Sequence, residues 1–426
     1  VPPRTLLVVT RVGLGKIAIA ETSICFSQDL QGLIQNPKLI FPEYTLYLLS
    51  YKLQFLKFDG RGTTISGVTK KQLKDLAFPL PPLSEQHRIV AKIEELFSEL
   101  DKGIESLKTA RAQLDLYRQA LLKHAFEGKL TAQWRAENQD KLESAAALQK
   151  RIQLERAQRY QQQLADWEAV GKQGSKPKAP KTLPRLTIEE LAELPELPKG
   201  WIWSKVSHIC DVVRGGSPRP AGDPKFYGGN IPFLKVADIT KTSTPYLRSF
   251  TFTIKEAGLS KTRQINPNTL LLSNSGATLG VPKVCLISAT MNDGVAAFLG
   301  LPHIALLYYY YFWQSRTEHL RNIDQGAAQP NLNTGLIKET FIPICSPSEQ
   351  VAVTQKLEAV FSEADQLEQA IVTSLQQAEA LRQSILKKAF SGQLVPQDPH
   401  DEPASALLAR IKAEKSVQAH NKKVRI

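Results

Sequence analysis

Apolar residues recur every seven positions through Ile93, Leu100, Leu107, Leu114 and Leu121, and the companion position four residues later holds Phe97, Ile104, Arg111, Arg118 and Ala125. Steps of four and three sustained over more than four heptads predict a long helix that packs on a partner helix by coiled-coil rules. The pattern returns later at Leu357, Ala364, Ile371, Ala378 and Ile385, with Phe361, Glu368, Leu375, Arg382 and Ala389 four residues on. The predicted seam is therefore Ile93, Phe97, Leu100, Ile104, Leu107, Leu114 and Leu121 facing Leu357, Phe361, Ile371, Leu375 and Ile385, with the alanines leaving room for leucines.

The two helical stretches are copies. Residues 84–130 match residues 348–394 without a gap at an offset of 264 (349 − 85 = 264), through Ser84-Glu85-Gln86 and Ser348-Glu349-Gln350, Phe97-Ser98-Glu99 and Phe361-Ser362-Glu363, and Gly128 and Gly392. The register extends upstream through Pro79 and Pro343 and Lys74 and Lys338, and Gly15 faces Gly280 after a one-residue insertion. A step this long means two whole modules with like parts in like order, because stacked arrays repeat every 20 to 50 residues or so. A pseudo-twofold axis would set the twin helices antiparallel with reciprocal contacts. Each would be about 40 residues and about 60 Å long at 1.5 Å per residue, enough to hold two heads apart.

Short β-type runs at Thr5 to Thr10, Lys16 to Ala20, Ile231 to Val236, Thr269 to Leu272 and Lys283 to Ile287, broken by turn residues, predict mixed α+β heads before each helix. The expected boundaries are a first head at 1–83, a helical region at 84–170, a linker at 171–200, a second head at 201–347, and a second helical region with tail at 348–426. The aromatic run Tyr308 to Trp313 is assigned to core. The second head begins near Trp201, so the matching start of the first would fall before Val1; with Met291 the single methionine, the chain is expected to be an amino-terminally incomplete product.

Charge narrows the partners. The 426 residues carry 54 Lys and Arg against 41 Asp and Glu, a net charge of +13, and residues 201–347 alone hold 14 against 8. That balance favours a polyanion. Cys25, Cys210, Cys285 and Cys345 are too scattered for a zinc site or a disulfide framework, which fits a reducing cytosol. The apolar stretch Ile304 to Trp313 is about half of the roughly 20 residues a membrane span requires.

Catalytic groups are not assembled in the sequence. Pro2-Pro3 and Pro81-Pro82 lack the Asn or Asp and the aromatic of an amino-methyltransferase motif, Gly13-Leu14-Gly15-Lys16 falls short of P-loop spacing, and the seven histidines show no zincin pair. Binding motifs are present instead. Arg214-Gly215-Gly216-Ser217-Pro218-Arg219 is a basic turn whose glycines would let backbone approach a phosphate. Asn274, Ser275 and Thr278 suit base edges, and Gln329 and Asn331 could bridge an adenine. Lys235, Lys241, Lys261 and Arg263 extend the basic set, and Arg11, Lys16 and Arg61 are its first-head counterparts. An ordinary solvated loop explains each of these residues singly as well.

With these motifs in order, the chain resembles the specificity subunit of a type I restriction-modification system. The resemblance rests on Pro81-Pro82-Leu83-Ser84-Glu85-Gln86, on Ala125-Phe126-Glu127-Gly128-Lys129-Leu130, on Leu197-Pro198-Lys199-Gly200-Trp201, and on Phe390-Ser391-Gly392-Gln393-Leu394. It implies an α+β fold with two target-recognition domains alternating with two long helices that pair as an antiparallel coiled coil. It further implies a non-catalytic cytoplasmic subunit that reads a bipartite duplex DNA site and docks two modification (methyltransferase) subunits and restriction subunits. The cofactors S-adenosylmethionine, ATP and Mg would lie in those partners and none in this chain. Under that resemblance the incomplete first head would read its half-site poorly, so the product is expected to bind only the second half-site well. Two rivals stay open: a fragment of a single-chain restriction and methyltransferase enzyme, and a coiled-coil scaffold that binds protein.

Overall fold

The computed structural model describes residues 1–10, 16–56, 68–172, 176–177, 179, 186–276, 278–322 and 332–424. The chain divides into two compact units, Val1–Gln113 with Leu367–Ile426, and Leu114–Gln366. The helices Leu83–Phe126 and Pro347–Phe390 each contribute one part to either unit. No helix among the described residues is long and apolar enough to cross a membrane.

In the unit Leu114–Gln366 a five-stranded sheet runs in the order Asp211–Arg214, Val295–Leu299, Thr269–Ser273, Pro282–Cys285, Tyr246–Leu247. Its pairs are antiparallel except the last, which is parallel. Alternation with period two sends side chains to opposite faces. Leu270, Leu272, Ala296 and Phe298 pack toward the helix Leu306–Asn322, while Leu271, Val295, Ala297 and Cys285 pack toward a second sheet with Leu234, Ile239 and Met291. Because both faces are covered, the central strand Thr269–Ser273 is buried along its whole length. The second sheet is ordered Phe252–Ile254, Tyr227–Leu234, Ala289–Met291, Arg263–Ile265. A two-stranded ladder of Ile202–Lys205 and Phe341–Ile344 leads into the helix Pro347–Phe390. The aromatic run Tyr308 to Trp313 lies on the helix Leu306–Asn322, and each ring is buried.

The other unit is built around the three-stranded antiparallel sheet Ile17–Ile19, Leu6–Val9, Leu30–Leu33 and the helix Pro42–Leu56. Its pairings Leu6↔Ile19 and Leu6↔Leu33 reappear as Leu270↔Val284 and Leu270↔Phe298 in the first-described unit, the 264-residue offset growing by one between the strands. Side chains repeat as faithfully. Tyr44 Oη donates to Pro79 O at 3.0 Å and its ring meets Phe390 edge-on; Tyr308 Oη donates to Pro343 O at 2.8 Å and meets Phe126 edge-on. Gln86 Nε2 donates to Pro81 O, and Gln350 Nε2 to Cys345 O, each at 2.9 Å. The five-stranded sheet has two strands, Asp211–Arg214 and Tyr246–Leu247, without counterparts among the described residues of the other unit.

Within each unit the helix seam is apolar and flanked by ion pairs. Ile93, Phe97 and Ile385 are buried in one unit, Leu121 and Leu357 in the other, where sheets and shorter helices add cover. Leu100, Ile104, Leu107, Leu114, Phe361, Ile371 and Leu375 are partly buried. The arginines that interrupt the heptads turn to acids: Arg382 bonds Asp101, Arg111 Nη2 lies 3.1 Å from Glu368 Oε1, and Arg118 Nη2 lies 2.7 Å from Asp365 Oδ1. Partner numbers run in opposite senses, 101 with 382 and 111 with 368, so the helices are antiparallel. Arg118 and Asp365 are the twins of Arg382 and Asp101, which makes this pair reciprocal. Both helices end on a glycine of positive φ, Gly128 at 71° and Gly392 at 73°, a backbone conformation that costs other residues about 1 kcal/mol or more.

Candidate nucleic-acid interface

Most of the predicted contact residues of the second head that the structure describes gather around one turn, Asn292-Asp293-Gly294, between the strands Ala289–Met291 and Val295–Leu299. Arg214 Nε donates to Asp293 O at 2.6 Å, Ser217 Oγ donates to Asp293 Oδ1 at 2.6 Å, and Arg219 Nη2 lies 3.7 Å from Asp293 Oδ2. Asn292 N–H donates to Leu234 O at 2.9 Å, which brings Lys235 alongside. Asn274 N–H donates to Gly294 O at 2.9 Å, and a Cβ on Gly294 would stand 2.8 Å from Ser275 Oγ. On the remaining side Met291 pairs with Arg263 across the ladder, and Thr262 Oγ1 donates to Met291 O at 2.8 Å, next to Lys261. Segments far apart in sequence thus meet at this turn, and they carry Arg214, Arg219, Lys235, Lys261 and Arg263. Asp293 organises it, and its only sequence signal is that Asn-Asp-Gly between apolar runs is a turn.

The two glycines of the basic turn serve packing, which differs from the role expected of them. Gly215 N–H is spent on Val295 O and Gly216 N–H on Met291 O, both at 3.0 Å, so neither amide is free for a phosphate. A Cβ would stand 2.1 Å from Asn292 O at Gly215 and 2.5 Å from Lys261 O at Gly216. What the turn presents is guanidinium: the Arg219 side chain is 71% exposed.

Asn274 also departs from expectation. It is fully buried, and its side-chain oxygen and nitrogen have no hydrogen-bond partner among the described residues, so it offers no surface to a base edge. Thr278 lies exposed in the next turn, its carbonyl accepting from Ser273 Oγ at 2.6 Å. Lys241 is exposed at the far end of the short helix Val236–Thr240 and is not joined to the cluster. The loop after it is held by the buried Lys283, whose Nζ donates to Thr242 O at 2.7 Å and to Thr244 O; burial lowers its pKa. Lys16 is exposed in the other unit. Gln329, Asn331, Arg11 and Arg61 lie outside the described residues.

The Ser217 hydroxyl, and then the Arg219 and Arg214 guanidiniums, hold the Asp293 carboxyl below its ordinary value against the opposing effect of burial. A depressed carboxylate pKa stabilises the fold at pH values above the unfolded pKa of about 3.9, and that contribution is lost as pH falls through the folded value. Asp293 is therefore expected to stay ionised to lower pH than a free aspartate, its ties to the turn loosening as pH falls through that lowered value. Carboxyl NMR titration checks this: Ser217→Ala should move the Asp293 midpoint upward, and an unmoved midpoint counts against the assignment.

Two units with a repeated set of sheet and helix contacts, the unit Leu114–Gln366 carrying a basic cluster, define a protein of duplicated sheet-and-helix modules. The chain belongs to the type I restriction modification DNA specificity domain family, whose sequence profile matches residues 1–109 and 198–377. It is 23% identical over 426 aligned positions to the type I restriction enzyme EcoDI specificity subunit of Escherichia coli, covering 96% of this chain and 85% of that one. Over 124 positions, 26% of this chain and 27% of the relative, it is 43% identical to the StySPI specificity subunit of Salmonella potsdam. Among solved structures, a chain described in work on complex assembly and conformational transition of the type I R-M system superposes with a TM-score of 0.65 at 20% identity, over 92% of this chain and 83% of that chain. The HsdS subunit from Thermoanaerobacter tengcongensis gives 0.50 at 20% identity, over 92% and 82%.

Proposed function

We propose that this chain addresses a type I restriction-modification complex to its DNA sequence, with partner subunits supplying catalysis and its cofactors. The observation that carries the reading is the basic cluster around Asp293 on a head whose sheet register and helix contacts recur in a second unit. Phosphates would be met by Arg214, Arg219, Lys261 and Arg263, and sequence would be read by side chains reaching the base edges. A repeated head suits a bipartite site, each copy reading one half. The paired helices would then set the gap between halves and give two modification subunits equivalent docking sites.

The gap is the testable part. Four residues inserted after Leu107 lengthen a helix by about 6 Å, close to two base pairs. Sequencing the methylated sites of cells carrying that variant should show a changed spacer between the same half-sites. An unchanged spacer would remove the helices from gap selection.

A further inference from the structure

We infer that Phe252 contacts DNA directly, its exposed ring meeting the nucleotides while Lys235, seated on that ring, meets the adjoining phosphate. The inference rests on the proposed DNA-reading role of this head and names an aromatic element within it. Phe252 opens the strand Phe252–Ile254, which forms the outer edge of the four-stranded sheet. It lies opposite Phe233, which is buried and packs against Tyr227 at 5.9 Å between ring centroids. Phe252 itself stays 41% exposed, and Phe250 beside it is 43% exposed. A phenylalanine left partly exposed on a sheet edge, with a second two residues before the strand, is apolar surface of the kind that, rimmed by charge, marks binding sites.

The charge is mainly positive. Residues 235–263 hold six Lys and Arg against two acids, Asp238 and Glu256. Asp238 is buried, with one oxygen accepting from Thr251 Oγ1 at 2.6 Å and the other from Lys235 N–H at 2.9 Å. These two bonds fix the backbone on either side of the pair, Lys235 on one strand end and Thr251 just before Phe252. The Lys235 ammonium then lies 3.4 Å from the Phe252 ring centroid. A lysine held by a ring keeps its charge unneutralised and loses less freedom when it engages a phosphate. Lys235 follows Leu234, whose carbonyl receives the Asn292 N–H, so the pair continues the cluster around Asp293. Cations that track a backbone beside rings that stack on or wedge between bases are a recurrent way of gripping DNA.

The test uses the full chain assembled with its modification subunits and a duplex bearing the sequence that complex methylates, with binding measured over a salt series. Phe252→Ala should weaken binding about 10-fold, within the range for one aromatic-base contact, and leave the salt dependence unchanged. Lys235→Gln should weaken binding and lower the salt slope by about 0.9, as expected for one lost phosphate contact. Phe252→Leu keeps an apolar side chain on the strand and guards against misfolding, and it should still lose affinity. If wild-type complex binds this duplex with steep salt dependence while all three variants match it, the inference is overturned and the DNA-reading role stands. If the wild-type complex shows no salt-dependent binding, the DNA-reading role fails first.

Discussion

Arg135→Met is expected to destabilise the unit Leu114–Gln366 by about 3–5 kcal/mol, the cost of leaving a buried charge without its partner. The Glu349 side chain is 1% exposed, and its Oε1 accepts from Thr131 Oγ1 at 2.8 Å and from Arg135 Nε at 3.1 Å. The carboxylate sits in the first turn of the helix Pro347–Phe390, where the amide dipoles also favour negative charge. Arg135 further donates to Gly128 O, and its guanidinium lies 5.7 Å from the Trp201 ring centroid. Its removal therefore takes away the carboxylate's cationic partner, leaving the Thr131 hydroxyl as its side-chain donor, and frees the Gly128 carbonyl of the guanidinium. All five tryptophans, Trp134, Trp167, Trp201, Trp203 and Trp313, lie in this unit, so tryptophan fluorescence in urea reports on it alone. Adding Glu349→Leu to Arg135→Met should recover most of the loss, because the isolated charge goes with it. A single variant less than about 1 kcal/mol below wild type would mean that water already solvates this pair.

The second large effect is expected at Gly215. Alanine there would place its Cβ 2.1 Å from Asn292 O and 2.4 Å from Met291 O, both backbone atoms of the segment that organises the basic cluster. Relief requires moving the strand ends that carry Arg214 and Asp293, so Gly215→Ala should cost at least the 1–3 kcal/mol or so typical of overpacking. It should also abolish selective DNA binding by this head. Gly222→Ala is the contrasting substitution: a Cβ there meets nothing within 4 Å, but φ is +81°. That change should cost only about 1 kcal/mol, through backbone conformation, and leave DNA binding intact. Urea midpoints with duplex binding of the assembled complex separate the two. Equal stability for Gly215→Ala and wild type would show that the turn does not need this close approach.

Much of the architecture was legible before any coordinates. Heptad spacing exposed the helices because a seam between two helices must be apolar at a fixed period, and the 264-residue copy exposed the repeat because twin modules keep twin contacts. The basic turn at Arg214 to Arg219 was legible as local chemistry. Its organiser was not: Asp293 is 74 residues beyond Arg219, and nothing local marks an aspartate in a turn as the acceptor of distant guanidiniums and a hydroxyl. Asn274 shows the converse. It suits a surface loop by type, yet it is fully buried, its N–H donating to Gly294 O and its carbonyl accepting from Leu332 N–H.

The sequence by itself determined periodicity, duplication and net charge, since those depend on spacing and composition along the chain. Only the tertiary structure decided which charges share a surface, which glycines answer to a neighbouring backbone, and that Lys235 rests on Phe252. The physical reason is that these features arise where strands distant in sequence are brought within a few ångströms by sheet pairing, and pairing between distant strands is fixed by the packing of the whole head.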